Sequence, residues 1–353
     1  MREAVLGVVA VLVALTQAPA VSHGRVRPRF LAVTPSAMTV RQVWGDAPFR
    51  LRDARPAISP DGRHLAYAGD YAESLVAGPA GLGRRPRALY VRDLLADVSR
   101  PLTTVDSTGF VVTIHFSPDG SLVGYTWYDG VRGGDHLRRV MLDGSAAPPF
   151  PYRTDEWPHL ALAGWSPEGE RMLMLVKTGP LASETRHMGL MSVTSGAIRI
   201  LKTFALPYFP SFGFSPDARY VVFDHPVRGD SGERDIFILD IGEGLSPRYN
   251  GREERLVARP ADDRQPRFTP DGKGVLFFSR AATGEPISAW YQRVVDGRPQ
   301  GSPEFLRQDM GPDAEPIGFS SNGSFYYHIK SDSLNLRAVW VMENFLPNPE
   351  PGP

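Results

Sequence analysis

The sequence contains no cysteine. That excludes disulfide bridges, cysteine nucleophiles and thiolate metal sites, and it fits an oxidising compartment without requiring one. There is no bias of charge sign, because 39 basic residues balance 39 acidic ones. A nucleic-acid binder usually presents an excess of Lys and Arg, so no nucleic-acid partner is expected. Beyond the N-terminus no run is apolar enough to cross a membrane. No Gly-x-Ser-x-Gly elbow seats a hydrolase nucleophile. The eight histidines form no His-Glu-x-x-His or similar ligand pair, and no catalytic, metal or cofactor residue is expected.

Glycine and proline are abundant, at 35 and 33 of 353 residues. Helix interiors disfavour both, whereas short strands joined by many turns use both. At the N-terminus, Arg2 gives a positive start and Ala4 to Leu15 is an apolar run of 12 residues. Ala18-Pro19-Ala20 then places small residues where a signal peptidase reads. Residues 1–20 are therefore expected to be a signal peptide cleaved near Ala20, with an uncleaved anchor as the alternative. The mature chain is expected in the periplasm or outside the cell, with no transmembrane segment.

Six segments repeat one pattern. They begin Ala57-Ile-Ser-Pro-Asp-Gly, His115-Phe-Ser-Pro-Asp-Gly, Gly164-Trp-Ser-Pro-Glu-Gly, Gly213-Phe-Ser-Pro-Asp-Ala, Arg267-Phe-Thr-Pro-Asp-Gly and Gly318-Phe-Ser-Ser-Asn-Gly. The acidic or Asn position falls at 61, 119, 168, 217, 271 and 322, so the spacings are 58, 49, 49, 54 and 51 residues. Proline fixes φ, the acid accepts backbone hydrogen bonds and glycine tolerates positive φ, so each segment reads as a tight turn. A β-rich run follows each turn, as in Arg219-Tyr-Val-Val-Phe223. A third run follows a variable loop, as in Asp235-Ile-Phe-Ile-Leu-Asp240, and a fourth short run ends many units. A period near fifty with four short strands predicts an all-β chain: a six-bladed propeller of four-stranded antiparallel blades. The last unit lacks a fourth strand, and Thr39 to Trp44 is unassigned. That N-terminal strand is expected to complete the last blade and close the ring. Residues 21–38 read as an extended arm, 39–345 as the propeller and 346–353 as a proline-rich tail.

These units resemble the WD40-like (PD40) repeats of TolB-type propellers over roughly residues 55 to 342. The likeness is greatest to small exported bacterial PD40 proteins without an assigned activity. The resemblance implies a non-catalytic scaffold that binds a protein or peptide in the cell envelope, as the Tol-system protein does. The chain departs from that protein in having only a short arm before Trp44 rather than an α/β domain. It departs from prolyl-oligopeptidase-like peptidases in ending just after the sixth unit. A small-molecule or glycan binder at the central funnel is the alternative, followed by a propeller enzyme such as a lyase or hydrolase.

The repeated serines and acids sit in turns, which fits a structural role. Phe116, Trp165, Phe214, Phe268 and Phe319 occupy equivalent places and fit a blade-to-blade core. Two residues before each serine or threonine stand Ala57, His115, Gly164, Gly213, Arg267 and Gly318. Small residues suit a crowded innermost strand, so His115 and Arg267 break the column. They are read as polar contacts lining the axial channel or its mouth, with ordinary hydrogen bonding as the competing reading. Asp106, Asp224, His225 and Asp263 lie beside inner strands and would acidify one end of the funnel, unless they are solvated surface. Trp127, Tyr128, Trp157, Tyr208 and Phe209 recur less regularly and are candidates for a ligand or partner surface.

Overall fold

The computed structural model of the protein describes residues 38–47, 54–69, 88–106, 108–153, 155–179, 184–204, 209–227, 233–242, 251–331 and 336–346. The expected signal peptide, nearly all of the arm, most of the Gly69–Arg87 loop, Tyr208 and the tail after Leu346 lie outside these residues. The chain divides into two units, 1–31 and 32–353, and the fold described is that of the second.

It is an all-β ring of six blades. The first blade holds β2 (Ala57–Ile58), β3 (His64–Gly69), β4 (Ala88–Asp93) and β5 (Val98–Pro101). The second holds β6 (Gly109–Phe116), β7 (Leu122–Asp129) and β8 (Asp135–Met141), with a lone bridge between Val140 and Ala146 in the place of a fourth strand. The third runs through β9 (Leu160–Trp165), β10 (Arg171–Thr178), β11 (Thr185–Ser192) and β12 (Ile198–Phe204). The fourth has β13 (Phe212–Phe214), β14 (Tyr220–Pro226), β15 (Arg234–Asp240) and β16 (Glu253–Val257). The fifth has β17 (Asp262–Phe268), β18 (Gly274–Arg280), β19 (Ser288–Val295) and β20 (Arg298–Arg307). The sixth has β21 (Glu315–Phe319), β22 (Phe325–Lys330) and β23 (Arg337–Glu343), and β1 (Thr39–Ala47) pairs antiparallel with β23 at its outer edge.

Sequence explains why each blade turns where it does. In the first repeat, the Ser59 hydroxyl accepts from the His64 N–H at 2.8 Å, and the Asp61 carboxylate accepts from the Arg63 N–H at 3.0 Å. The same pair recurs at Ser117 and Asp119, where Leu122 and Ser121 donate at 3.1 and 3.0 Å. Ser320 and Asn322 build the last turn in the same way, with Ser324 donating to the Asn322 amide oxygen at 3.0 Å. All six Ser or Thr residues of the repeat are buried. Their hydroxyls satisfy backbone groups that would otherwise be orphaned, which is what a buried turn requires.

The second strands are apolar on both faces, because each blade is covered on both sides. In β14, Val221 and Phe223 enter the core shared with the third blade, while Tyr220 and Val222 enter the core shared with the fifth. Among the described residues, six apolar clusters form, and each joins two consecutive blades. The cluster between the sixth and first blades combines Ala47, Tyr326, Val339 and Val341 with Ile58, Leu65 and Tyr67. Trp44 of β1 meets the Tyr67 ring edge-on at 5.1 Å.

Candidate functional site: the axial cavity

Six innermost strands converge on the axis and each ends in the segment that precedes its turn. Together they line an open-mouthed cavity of about 450 Å³. All six residues of the irregular column, Ala57, His115, Gly164, Gly213, Arg267 and Gly318, line it. So do the five aromatics Phe116, Trp165, Phe214, Phe268 and Phe319, which serve both the blade cores and this wall. Pro60, Pro118, Pro167, Pro216 and Pro270 complete the apolar lining, and Ser321 stands where the sixth repeat lacks its proline. No carboxylate lines the cavity among the described residues. A Cβ added at Gly164 would meet nothing within 4 Å, so that glycine faces open space.

Arg267 is the cation of this wall. Its Nη1 donates to the Pro266 carbonyl at 2.8 Å, to the Ser211 hydroxyl at 3.2 Å and to the Phe212 carbonyl at 3.5 Å. Burial pulls its pKa down to about 10, the nearby Arg55 charge adds to the fall, and Asp224 and Glu315 oppose it. Arg55, which precedes β2, pairs with Glu315 at 3.1 Å and also donates to the Ser211 hydroxyl at 3.3 Å. The first and fourth blades are opposite in a ring of six, so the Arg55–Ser211 bond crosses the axis. His115 is half-buried on the cavity wall, and desolvation, with the Arg267 charge, depresses its pKa to about 3. A hydrogen bond to the Leu162 backbone opposes that shift, and the ring is neutral at physiological pH.

The other sequence-derived candidates separate from this cavity. Asp224 is buried: its carboxylate accepts the Ser211 N–H at 2.8 Å and the Gln265 N–H at 2.9 Å, joining the fourth blade to the fifth. Asp263 is fully enclosed and holds Arg259 at 2.6 Å; burial raises its carboxyl against the pull of that partner. His225 stacks on Phe204 at 5.8 Å, and burial lowers its pKa. Asp106 accepts from the Thr108 N–H at 2.9 Å and faces Arg138 at 3.5 Å. Partial burial raises its carboxyl, but the Thr108 bonds and Arg138 outweigh this and hold it below the usual range. The acids beside the inner strands therefore have basic or backbone partners.

Trp127 is buried under the Arg138 guanidinium, 4.7 Å from its ring centre. Tyr128 packs on Phe110 at 4.9 Å, and Trp157 is half-buried against the third-blade core. Phe209 is the exposed one, at 63 %, with the Arg186 guanidinium 3.9 Å above its ring. Tyr208 is outside the described residues. Sequence reading passed over Arg55 and Ser211. A signal was present: six positions before each turn acid or Asn, Arg55, Thr113, Ser211 and Gln265 are polar on a strand approach that otherwise favours apolar residues.

No protein-family model matches the sequence, and no curated protein does. Solved structures do share the fold. TolB from Acinetobacter baumannii superposes with a TM-score of 0.53 at 17% identity, over 80% of this chain and 65% of that one. The chain thus spans slightly under two thirds of that protein's length. Oligogalacturonate lyase from Vibrio parahaemolyticus gives a TM-score of 0.53 at 12% identity, over 90% of this chain and 97% of that one. Prolyl oligopeptidase B from Galerina marginata gives 0.50 at 12% identity, over 78% of this chain and 38% of that one. At such identities the likeness establishes the β-propeller fold and no activity.

Proposed function

We propose that the protein is an exported, non-catalytic scaffold of the bacterial envelope whose axial cavity receives a peptide segment of a protein partner. One observation carries this reading: all six blades direct the equivalent segment at one cavity of about 450 Å³, and together these segments bring five prolines and five aromatics to it. That size lies within the roughly 300–1,000 Å³ of ordinary ligand pockets. Proline and aromatic walls present rigid apolar surface, and His115 and Arg267 add two polar anchors. Anchors of this sort in an otherwise apolar concavity are what fix the register of a bound chain. A sugar site is less well served, because among the described residues the aromatic wall comes without the carboxylates that bind hydroxyls. The TolB-like fold supports the same reading.

The test is a displayed peptide library screened against the full chain and against Gly164→Leu. The substitution fills open space on the cavity wall, so its melting temperature should stay within about 2 °C of wild type. Wild type should enrich a convergent motif, and the filled variant should bind the same peptides at least tenfold more weakly. No enrichment, or undiminished binding by Gly164→Leu, would refute the proposal.

A further inference from the structure

The geometry points to a carboxylate subsite in the axial cavity, in which the free edge of the Arg267 guanidinium binds the acid and the His115 ring accepts an adjacent peptide N–H. It rests on the reading of the cavity as a peptide site and specifies what the peptide must carry.

Arg267 makes all its protein hydrogen bonds through Nη1, and all of them go to neutral oxygens. Among the described residues, Nε and Nη2 make none, and no carboxylate lies within 4 Å of the guanidinium. The Nε–Nη2 edge is the planar fork that binds a carboxylate through two parallel bonds. The acids around it are engaged elsewhere. Glu315 pairs with Arg55, and Asp224 accepts two backbone N–H groups and faces Arg234 at 3.8 Å. A cation held in a cavity with no counter-ion in its wall is costly, and one anion relieves that cost. One unmatched charge calls for a singly charged group, a carboxylate rather than a phosphate dianion.

His115 sets the second half of the recognition. It lines the same cavity as Arg267, and its ring is neutral. A neutral imidazole carries one nitrogen that accepts a hydrogen bond. A carboxylate beside a backbone N–H, as at an acidic residue or a chain terminus, satisfies both. Gly164, on the blade next to that of His115, faces open space and leaves room for the attached chain.

Three small probes separate the sources. Acetyl-alanine carries a terminal carboxylate, acetyl-aspartate amide a side-chain carboxylate and acetyl-alanine amide none. Titration calorimetry and melting temperature are measured on the full chain with each. At least one acid should bind saturably and raise the melting temperature, the neutral amide should bind at least tenfold more weakly, and the stronger acid identifies the source. Arg267→Met should lose the acid response, while Arg267→Lys should keep a weakened one. Because the acid–amide comparison uses wild type, it stands even if Arg267→Met fails to fold. Equal responses to acids and amide, or tighter binding of inorganic phosphate, would overturn the subsite. Library peptides selected without any acid or free terminus would also overturn it while leaving the peptide cavity intact. Acid binding lost in Arg267→Met, with no library peptide enriched, would support the subsite and sink the peptide reading.

Discussion

Ala218 departs from its repeat in a way that backbone energetics makes measurable. It sits at φ 55°, where Gly62, Gly120 and Gly272 adopt φ 73°, 71° and 71° in the equivalent turns. Its N–H donates to the Ser215 carbonyl at 2.9 Å, as the Gly62 N–H does to Ser59 at 2.8 Å, so the turn is the same and only the residue differs. A left-handed alanine costs about 1–2 kcal/mol, and the greater freedom of glycine in the unfolded chain offsets part of that. Ala218→Gly should therefore stabilise by about 0.5 kcal/mol. Gly272→Ala should destabilise by about 1 kcal/mol, since the added Cβ would come no nearer than 3.7 Å to Pro216 and the cost is in the backbone. Urea midpoints at an unchanged m-value check both. Stabilisation by Gly272→Ala would show that strain is not what these turns respond to.

Between elements, the ring is joined by polar bonds as well as apolar clusters. The Thr126 hydroxyl accepts the Leu162 N–H at 2.9 Å, from the second blade to the third. Asp224, seven positions beyond its own turn acid as Thr126 is, does the same for Gln265 and also holds the Ser211 N–H. Removing a buried acceptor strands a backbone donor at about 1–3 kcal/mol. Thr126→Val should thus cost about 1–2 kcal/mol and Asp224→Ala about 3 kcal/mol or more, because it strands two. Equal losses in urea denaturation would show that the inter-blade bonds are not the source. This is also where legibility in the sequence ended. The six turns, the strand alternation and the unusual places of His115 and Arg267 were readable because they follow from local chemistry repeated at a fixed offset. The partners of Asp224 and Asp263 were not, because they depend on which blade lies alongside and on local irregularities of register. One of these lies between Arg264 and Arg267, where Gln265 takes φ 57° and redirects the strand. Arg55 was missed for a similar reason: its partners lie in blades opposite to or beside its own, more than 150 residues away in sequence.

At the scale of the whole molecule, histidines whose pKa burial lowers fix a direction for its response to pH. His115 titrates near 3, and buried His328 also lies well below its ordinary value, next to Arg337, whose Nε donates to the His328 Nδ1 at 3.0 Å. In the unfolded chain both would titrate near 6.5. Between these limits the unfolded state binds protons that the folded state refuses, so this part of the stability is complete above about pH 6.5 and is lost as pH falls towards 3. Each such group contributes a slope of up to about 1.4 kcal/mol per pH unit. His115→Gln should flatten the stability profile between pH 4 and 6 by about that amount, measured by urea denaturation at half-unit steps. An unchanged slope would mean that His115 titrates normally and that the cavity is wetter than its walls imply.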